Sequence, residues 1–500
     1  MDTPEVPLHR LITGAAGFRW GLVGLLLLAW GLRLPSLFAP SHHPDEALYG
    51  YWGLCVGQGQ DPWLSSEAVD KPPLPLYAMA GSQLLFGDGT MALRLPGLAA
   101  GLLLVPLTGA LGRALYRERW VGFIAAVGVG LSPFAIVFSS TGFPDPLMVA
   151  LGAAACLAAV GRRPSWAGVL AALSFAAKQT GLVWLPLSLS LLVFLSDSSD
   201  NGRSLFLDYV ACWALVVGLV FAWDGVRVLR GAGSFWQAGV VGYGGLRLTW
   251  AQELLPRVQA WLSMMRYLFA SSVVNALLMV GLPALVMSAI IRSPQRRNPQ
   301  VDVLLASFVV AYALLKWLVA FPIWDRYLLP LLPLLAVALG RSVQWAANRI
   351  GLAMAWQQLG VAGLLVAVLL GPAVEARAGQ YPVGREQAVY QGFEEVTSFL
   401  AQRPAGSVVY HHWLGWHYRY GLWGVPVHLS YWPNPAWLAR DVQAFGDREP
   451  RFVAFPGWES SARLERYLGD VGYTLNPVLT VADEDGAVTF ILYQLARLEN

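Results

Sequence analysis

A polytopic α-helical membrane protein with a C-terminal extracytoplasmic α/β domain is the fold class this sequence predicts, and three observations carry it. Of the 500 residues, 56% are hydrophobic and only 13% charged, with a mean hydropathy of +0.51, whereas soluble domains carry roughly 25% charge. Apolar runs close to the roughly 20 residues needed to cross the hydrocarbon core recur between residues 18 and 374. Beyond Pro372 charge returns, and short strand-like and helix-like segments alternate, the pattern of a small α/β domain.

Composition also narrows function. A net charge of +3 offers no electrostatic footprint for nucleic acid. The 22 tryptophans suit bilayer interfaces and sugar-binding surfaces alike. Cys55 lies in the first loop and Cys156 and Cys212 inside apolar segments; an odd number so placed argues against a disulfide framework. Arg10 and Arg19 precede the apolar run 20–32 as in a signal peptide, but Arg33, Leu34 and Pro35 stand where a small-residue cleavage site would be. The run therefore reads as an uncleaved first span.

About eleven spans are expected, with up to thirteen allowed by the closely joined fourth to sixth. They fall near 18–38, 91–114, 120–139, 145–161, 165–178, 180–196, 205–226, 267–291, 301–321, 325–345 and 355–374. With the N-terminus in the cytoplasm, the connections on that side hold Arg113, Arg117 and Arg119, then Arg162 and Arg163, Arg203, Arg292, Arg296 and Arg297, and finally Arg341 and Arg349. This is the positive-inside pattern of a cell-membrane (inner or plasma membrane) protein. It makes residues 1–375 the membrane module and places residues 376–500 outside the cytoplasm.

The same topology collects Asp45, Glu46, Asp70, Lys71, Asp145, Lys178, Asp325 and Arg326 at one membrane face. Ionisable residues at a membrane edge are costly and tend to mark function, although each alone also fits an interfacial anchor or a snorkelling side chain. The first outer loop, 40–90, is expected to carry the active site. Its segments Ala47–Val56 and Pro75–Phe86 pattern as helices in the membrane interface, separated by Gly57, Gly59 and Pro62. The glycine-rich stretch 229–262, with Phe235, Trp236, Tyr243 and Trp250, reads either as a lid or as an ordinary connection.

In the C-terminal domain, 385–402, 435–445 and 460–471 pattern as helices, and 407–410, 451–455 and 488–493 as strands. Its aromatics Trp413, Trp416, Tyr418, Tyr420 and Trp423 suit either a membrane-docking underside or a glycan acceptor.

Several of these pieces form a series. His43-Pro44-Asp45-Glu46 with Tyr49 follows the first span, and Asp70-Lys71-Pro72-Pro73-Leu74 opens the second loop helix. Arg94-Leu95-Pro96 stands at the start of a span, then come Ser139–Asp145, Lys178 near a span end, and Asp325-Arg326-Tyr327-Leu328-Leu329-Pro330. In this order, over roughly residues 20–345, they resemble the GT-C superfamily of polyprenyl-phosphate-sugar-dependent glycosyltransferases. The resemblance is to the branch of protein O-mannosyltransferases and lipid A aminoarabinose transferases. Asp70 is a shorter acid than the Glu many members carry before Lys-Pro-Pro.

The resemblance implies a polyprenyl-phosphate-linked sugar donor and a lipid, glycan or protein acceptor outside the cytoplasm, with inversion at the anomeric carbon. Asp45 and Glu46 are then the catalytic pair, Asp45 as the base and Glu46 shaping the site or binding the acceptor. Asp70, Lys71, Arg94, Asp145, Lys178, Asp325, Arg326 and Tyr327 are the substrate-binding candidates, with Lys71, Arg326 and Lys178 facing the leaving phosphate. Structural readings stand beside these: Asp45-Glu46 as a helix cap, Asp325-Arg326 as a local ion pair, Asp145 as a cap before Pro146, and Arg94 as an interface anchor. No cofactor is required by the sequence. His42 and His43 are the ligand candidates for a divalent metal, although their spacing matches no standard zinc motif. The rival class is a transporter or flippase of lipid-linked sugars, which predicts internal repeats and midplane charges.

Overall fold

The computed structural model describes residues 15–195, 202–242, 247–292, 297–352, 355–384, 389–483 and 485–498; Arg10, Tyr243, Arg296 and the start of the expected 385–402 helix lie outside them. The chain forms two compact units. One is built from Met1–Phe38 and Val56–Gly384, the other from Ala39–Cys55 and Arg385–Asn500. The segment carrying Asp45 and Glu46 therefore belongs to the same unit as the C-terminal residues.

The first unit is helical. Among the described residues, six helices are long and apolar enough to cross a membrane: Phe18–Leu37, Thr90–Tyr116, Gly202–Leu229, Ser272–Ile291, Arg297–Leu318 and Gln357–Arg377. Arg119–Gly130 and Pro133–Ser139 pass that test as a pair bent by 57°. The break falls at Ser132, whose Oγ accepts the amide of Ala135 at 3.3 Å, with Pro133 at the first helical position, where its missing N–H costs nothing. Asp145–Val160, Pro164–Ala177 and Gln179–Phe194 are apolar but short, and they correspond to the fourth to sixth expected spans. The chain is thus a multi-pass membrane protein.

Two expected elements take a different form. The segment expected as a span over 325–345 begins with a 3₁₀ turn, Asp325–Leu328, and passes through Pro330 into the helix Leu331–Arg349. Much of the stretch 229–262, read as a lid or an ordinary glycine-rich connection, is helical, with Phe235–Gly242 formed inside it and Ala251–Met265 running just past its end. Phe235 is fully buried, and its amide donates to Asp224 Oδ1 at 3.0 Å. The glycines hid these helices because they depress local helix propensity.

The second unit has a five-stranded sheet ordered β2-β1-β3-β5-β4. Its strands are β1 (Val408–His411), β2 (His428–Tyr431), β3 (Arg451–Pro456), β4 (Tyr473–Ala482) and β5 (Val488–Arg497). β1 pairs in parallel with β2 and β3, and β5 is antiparallel to both β3 and β4. Every residue of β3 is buried. One core gathers Phe393, Val396, Val409, Tyr418 and Phe490; the other gathers Tyr410, Leu438, Val442, Val453 and Leu464. The unit also takes in most of the helix Pro44–Gly57.

Candidate active site

The cations of the helical unit converge on one tyrosine. Lys178 caps the helix Pro164–Ala177 with extended backbone. Its Nζ donates to Asp145 Oδ1 at 2.6 Å and Oδ2 at 2.8 Å, with both residues buried. The same ammonium lies 4.6 Å from the centre of the Tyr327 ring, and the Lys316 ammonium lies 4.0 Å from it. Tyr312 donates its hydroxyl to the Tyr327 carbonyl at 2.5 Å, tying the helix Arg297–Leu318 to the 3₁₀ turn. The charges of Lys71 and Arg326 both reach Lys178.

Arg326 lies over the faces of Phe143 and Trp324 at 4.5 and 4.4 Å, a geometry that suits a planar guanidinium. Asp325 is used elsewhere. Its Oδ1 accepts the Arg326 amide at 2.7 Å and its Oδ2 the Gly384 amide at 2.8 Å. Lys71, almost fully buried, pairs with neighbouring Asp70, whose carbonyl accepts Gln179 Nε2 at 2.5 Å. That bond links the start of the second loop helix, Pro73–Phe86, to the residue after Lys178.

Close packing fixes where these groups stand. A Cβ on Gly97 would lie 2.4 Å from the Thr141 carbonyl oxygen, and one on Gly101 would lie 2.0 Å from Ser139 Oγ. Only glycine lets the helix Thr90–Tyr116 approach the segment that leads into Asp145. Arg33, fully buried, holds that segment from the other direction, donating to Ser139 Oγ at 3.2 Å and to the carbonyls of Ala29 and Gly130 at 2.9 and 3.0 Å. Arg227 pairs with Asp224 at 3.1 Å and donates to the carbonyls of Leu64 and Glu67, which clamps the loop just before Asp70.

In the other unit, Asp45 and Glu46 open the helix Pro44–Gly57. Glu46 is fully buried, and its Oε2 accepts the His43 amide at 3.1 Å, so it caps the helix start. Asp45 keeps about a third of its side chain exposed (32%), which leaves its carboxylate accessible. The Asp45 amide donates to His43 Nδ1 at 3.0 Å. His417, buried on the helix Gly415–Gly421, donates from Nε2 to the His42 carbonyl at 3.0 Å and stacks on Tyr390. Burial pushes the His417 imidazole down to about 4, so it is neutral at ordinary pH and holds the backbone ahead of Asp45 as a donor.

The expected residues thus fall into two sets. Asp70, Lys71, Asp145, Lys178, Arg326 and Tyr327 belong to the cation cluster of the helical unit. Asp45, Glu46, His42 and His43 belong to the other unit. Arg94 is fully buried and donates to the Ser36 carbonyl at 2.9 Å, a position unlike that of an interface anchor. Among the described residues no three His, Cys, Asp or Glu side chains are grouped to hold a metal ion. Sequence reasoning missed Lys316, Arg33, Asp224 and Arg227. A lone charge inside an apolar run was the signal available for Lys316 and Arg33.

Comparison with known proteins bears on this arrangement. Residues 70–223 match the profile of the dolichyl-phosphate-mannose-protein mannosyltransferase family. No curated protein sequence matches the chain. A crystal structure of ArnT from Cupriavidus metallidurans bound to undecaprenyl phosphate superimposes with a TM-score of 0.63 at 16% identity, covering 96% of this chain and 98% of that one. The fold is that of ArnT. The apo ArnT structure gives a TM-score of 0.62 at 15% identity over the same shares of both chains. The expected fold class, a helical membrane module with a C-terminal strand-containing domain, is met in the ArnT fold. Within it, the family profile spans Asp70-Lys71, Arg94 and the Asp145–Lys178 pair, and it ends before Lys316 and Tyr327.

Proposed function

We propose that this chain is an inverting glycosyltransferase that moves a sugar from a polyprenyl-phosphate carrier to an acceptor hydroxyl outside the cytoplasm. The observation that carries the reading is the buried cluster Lys178, Lys316, Arg326 and Tyr327 around Asp145, set in the ArnT fold. ArnT binds a polyprenyl phosphate, as the solved complex states, and a cluster with surplus positive charge suits such a group.

In this reading the acceptor oxygen attacks the anomeric carbon from the face opposite the phosphate. The bond from that carbon to the phosphate oxygen breaks, and the lipid phosphate leaves with the electron pair. Asp45 takes the acceptor proton. Lys71, Arg326 and Lys178 hold the charge that grows on the departing phosphate. A single displacement inverts the configuration. Glu46 and His417 act on Asp45 indirectly, through the His42–His43 backbone. The acceptor class (lipid, glycan or protein), the sugar, a cell-membrane location and a cytoplasmic N-terminus belong to the proposal.

The test compares wild type with Asp45→Asn in detergent, using radiolabelled polyprenyl-phosphate sugars and a membrane extract as acceptor. Removing a general base lowers turnover by about 10²–10⁴-fold, with donor binding retained. A variant as active as wild type overturns the role of Asp45.

A further inference from the structure

We propose that Lys316 is a further cation of the anion-binding site, beside Lys71, Lys178 and Arg326, contacting the anionic head of a ligand whose remainder is hydrocarbon. The inference rests on the lipid-phosphate reading and deepens it by naming a contact residue. Lys316 stands in the last turn of Arg297–Leu318 and is 4% exposed. Three aromatic rings surround its ammonium, with centroids at 4.0 Å (Tyr327), 4.9 Å (Phe321) and 5.6 Å (Tyr312). Among the described residues it donates no hydrogen bond and joins no ion pair.

The charges around Lys316 do not supply its missing partner. Lys178 shares the Tyr327 ring with it. Arg257 donates to the Lys316 carbonyl at 2.9 Å, bringing another positive group alongside. Asp145 is the carboxylate whose charge reaches Lys316, yet both of its oxygens are engaged by Lys178 at 2.6 and 2.8 Å. Ring faces recover part of what an ammonium loses on leaving water, but the loss is larger than that recovery. A buried cation cluster with one shared carboxylate is the arrangement an incoming anion completes.

The surroundings say what carries the anion. Lys316 lines a cavity of about 190 Å³ whose other walls include Val258, Trp261, Leu262, Val310 and Leu331. An ammonium beside apolar walls matches a phosphate esterified to a hydrocarbon chain better than free phosphate, which has nothing to place against those walls.

The experiment measures binding to the full-length protein in detergent. The probes are a polyprenyl monophosphate, the polyprenol of the same length, and inorganic phosphate. Wild type is expected to bind the lipid phosphate more tightly than either other probe. Lys316→Met is expected to lose about 10–100-fold of lipid-phosphate affinity and none of its polyprenol affinity, the latter also reporting an intact fold. Lys316→Arg keeps the charge and is expected to keep more affinity than the Met variant. The proposal fails if Lys316→Met binds lipid phosphate as wild type does, or if the Arg and Met variants lose affinity equally. It also fails if inorganic phosphate binds wild type as tightly as the lipid phosphate. If wild type binds phosphate and alcohol alike, the lipid-phosphate reading itself fails.

Discussion

Lys178→Met would leave the Asp145 carboxylate, 1% exposed, without the ammonium that now holds both of its oxygens at 2.6 and 2.8 Å. A buried charge deprived of its partner costs about 3–5 kcal/mol. Asp145→Leu incurs a similar cost from the other direction and leaves Lys178 sharing the Tyr327 ring with Lys316 uncompensated. Asp145→Leu combined with Lys178→Met removes both charges together, and apolar replacement of a whole buried pair is near neutral or stabilising. Unfolding in detergent by added denaturant, with transfer measured on the same samples, reads both effects. Each single variant should lose about 3–5 kcal/mol and the double variant about 1 kcal/mol or less, a coupling larger than about 5 kcal/mol. All three should lose sugar transfer. A double variant as unstable as the two losses summed refutes the pairing argument. A stable double variant that still transfers sugar reduces the pair to a strut and removes it from the site.

Three further outcomes follow from the geometry. Gly97→Ala should cost about 1–3 kcal/mol and lower turnover, because its Cβ would press on the Thr141 carbonyl and shift the segment before Asp145; unchanged activity and melting temperature would show that the approach is not tight. Arg227→Met should free the Leu64–Glu67 loop from its clamp, read as faster limited proteolysis near residues 61–69, and an unchanged cleavage pattern would count against the clamp. The folded protein holds His417 neutral down to about 4, whereas the unfolded chain takes up that proton near 6.5. Stability from this residue is therefore complete above about pH 6.5 and is lost as pH falls toward 4, by up to about 3 kcal/mol. His417→Gln should flatten the thermal-stability profile between pH 7.5 and 4, and a profile of unchanged slope would assign the acid sensitivity to other groups.

The sequence was most legible where charge interrupts an apolar pattern. Asp45-Glu46, Asp70-Lys71 and Lys178 stand out because little else around them is polar, and the structure sets Lys178 against Asp145 and the Tyr327 ring, within reach of the charges of Lys71 and Arg326. Lys316 is as conspicuous in composition, but a charge near the end of a span also suits an interface anchor, and only the three rings around its ammonium separate the two readings. Glu46 and Asp45 are neighbours with equal claims in sequence; burial and the His43 amide divide them into a cap and an accessible acid. In the C-terminal unit the buried strand β3 was readable from its continuous apolar run. β4 was not, since Pro477 falls within it at a register shift on the edge of the sheet, where a missing amide is tolerated. His417 sat within a run of aromatics, and its bond to His42 joins residues 375 positions apart, a distance no local pattern reports.

The central claim is that the chain breaks the bond between a sugar and a lipid phosphate, and the direct measurement follows both fragments. Purified protein would be reconstituted in vesicles with a radiolabelled polyprenyl-phosphate sugar and a membrane extract as acceptor, and the lipid phosphate and the label would be counted separately. One free polyprenyl phosphate appearing for each label joined to acceptor is the predicted result. Label that crosses the bilayer still attached to its lipid, with no polyprenyl phosphate released, would contradict the account and make the chain a transporter.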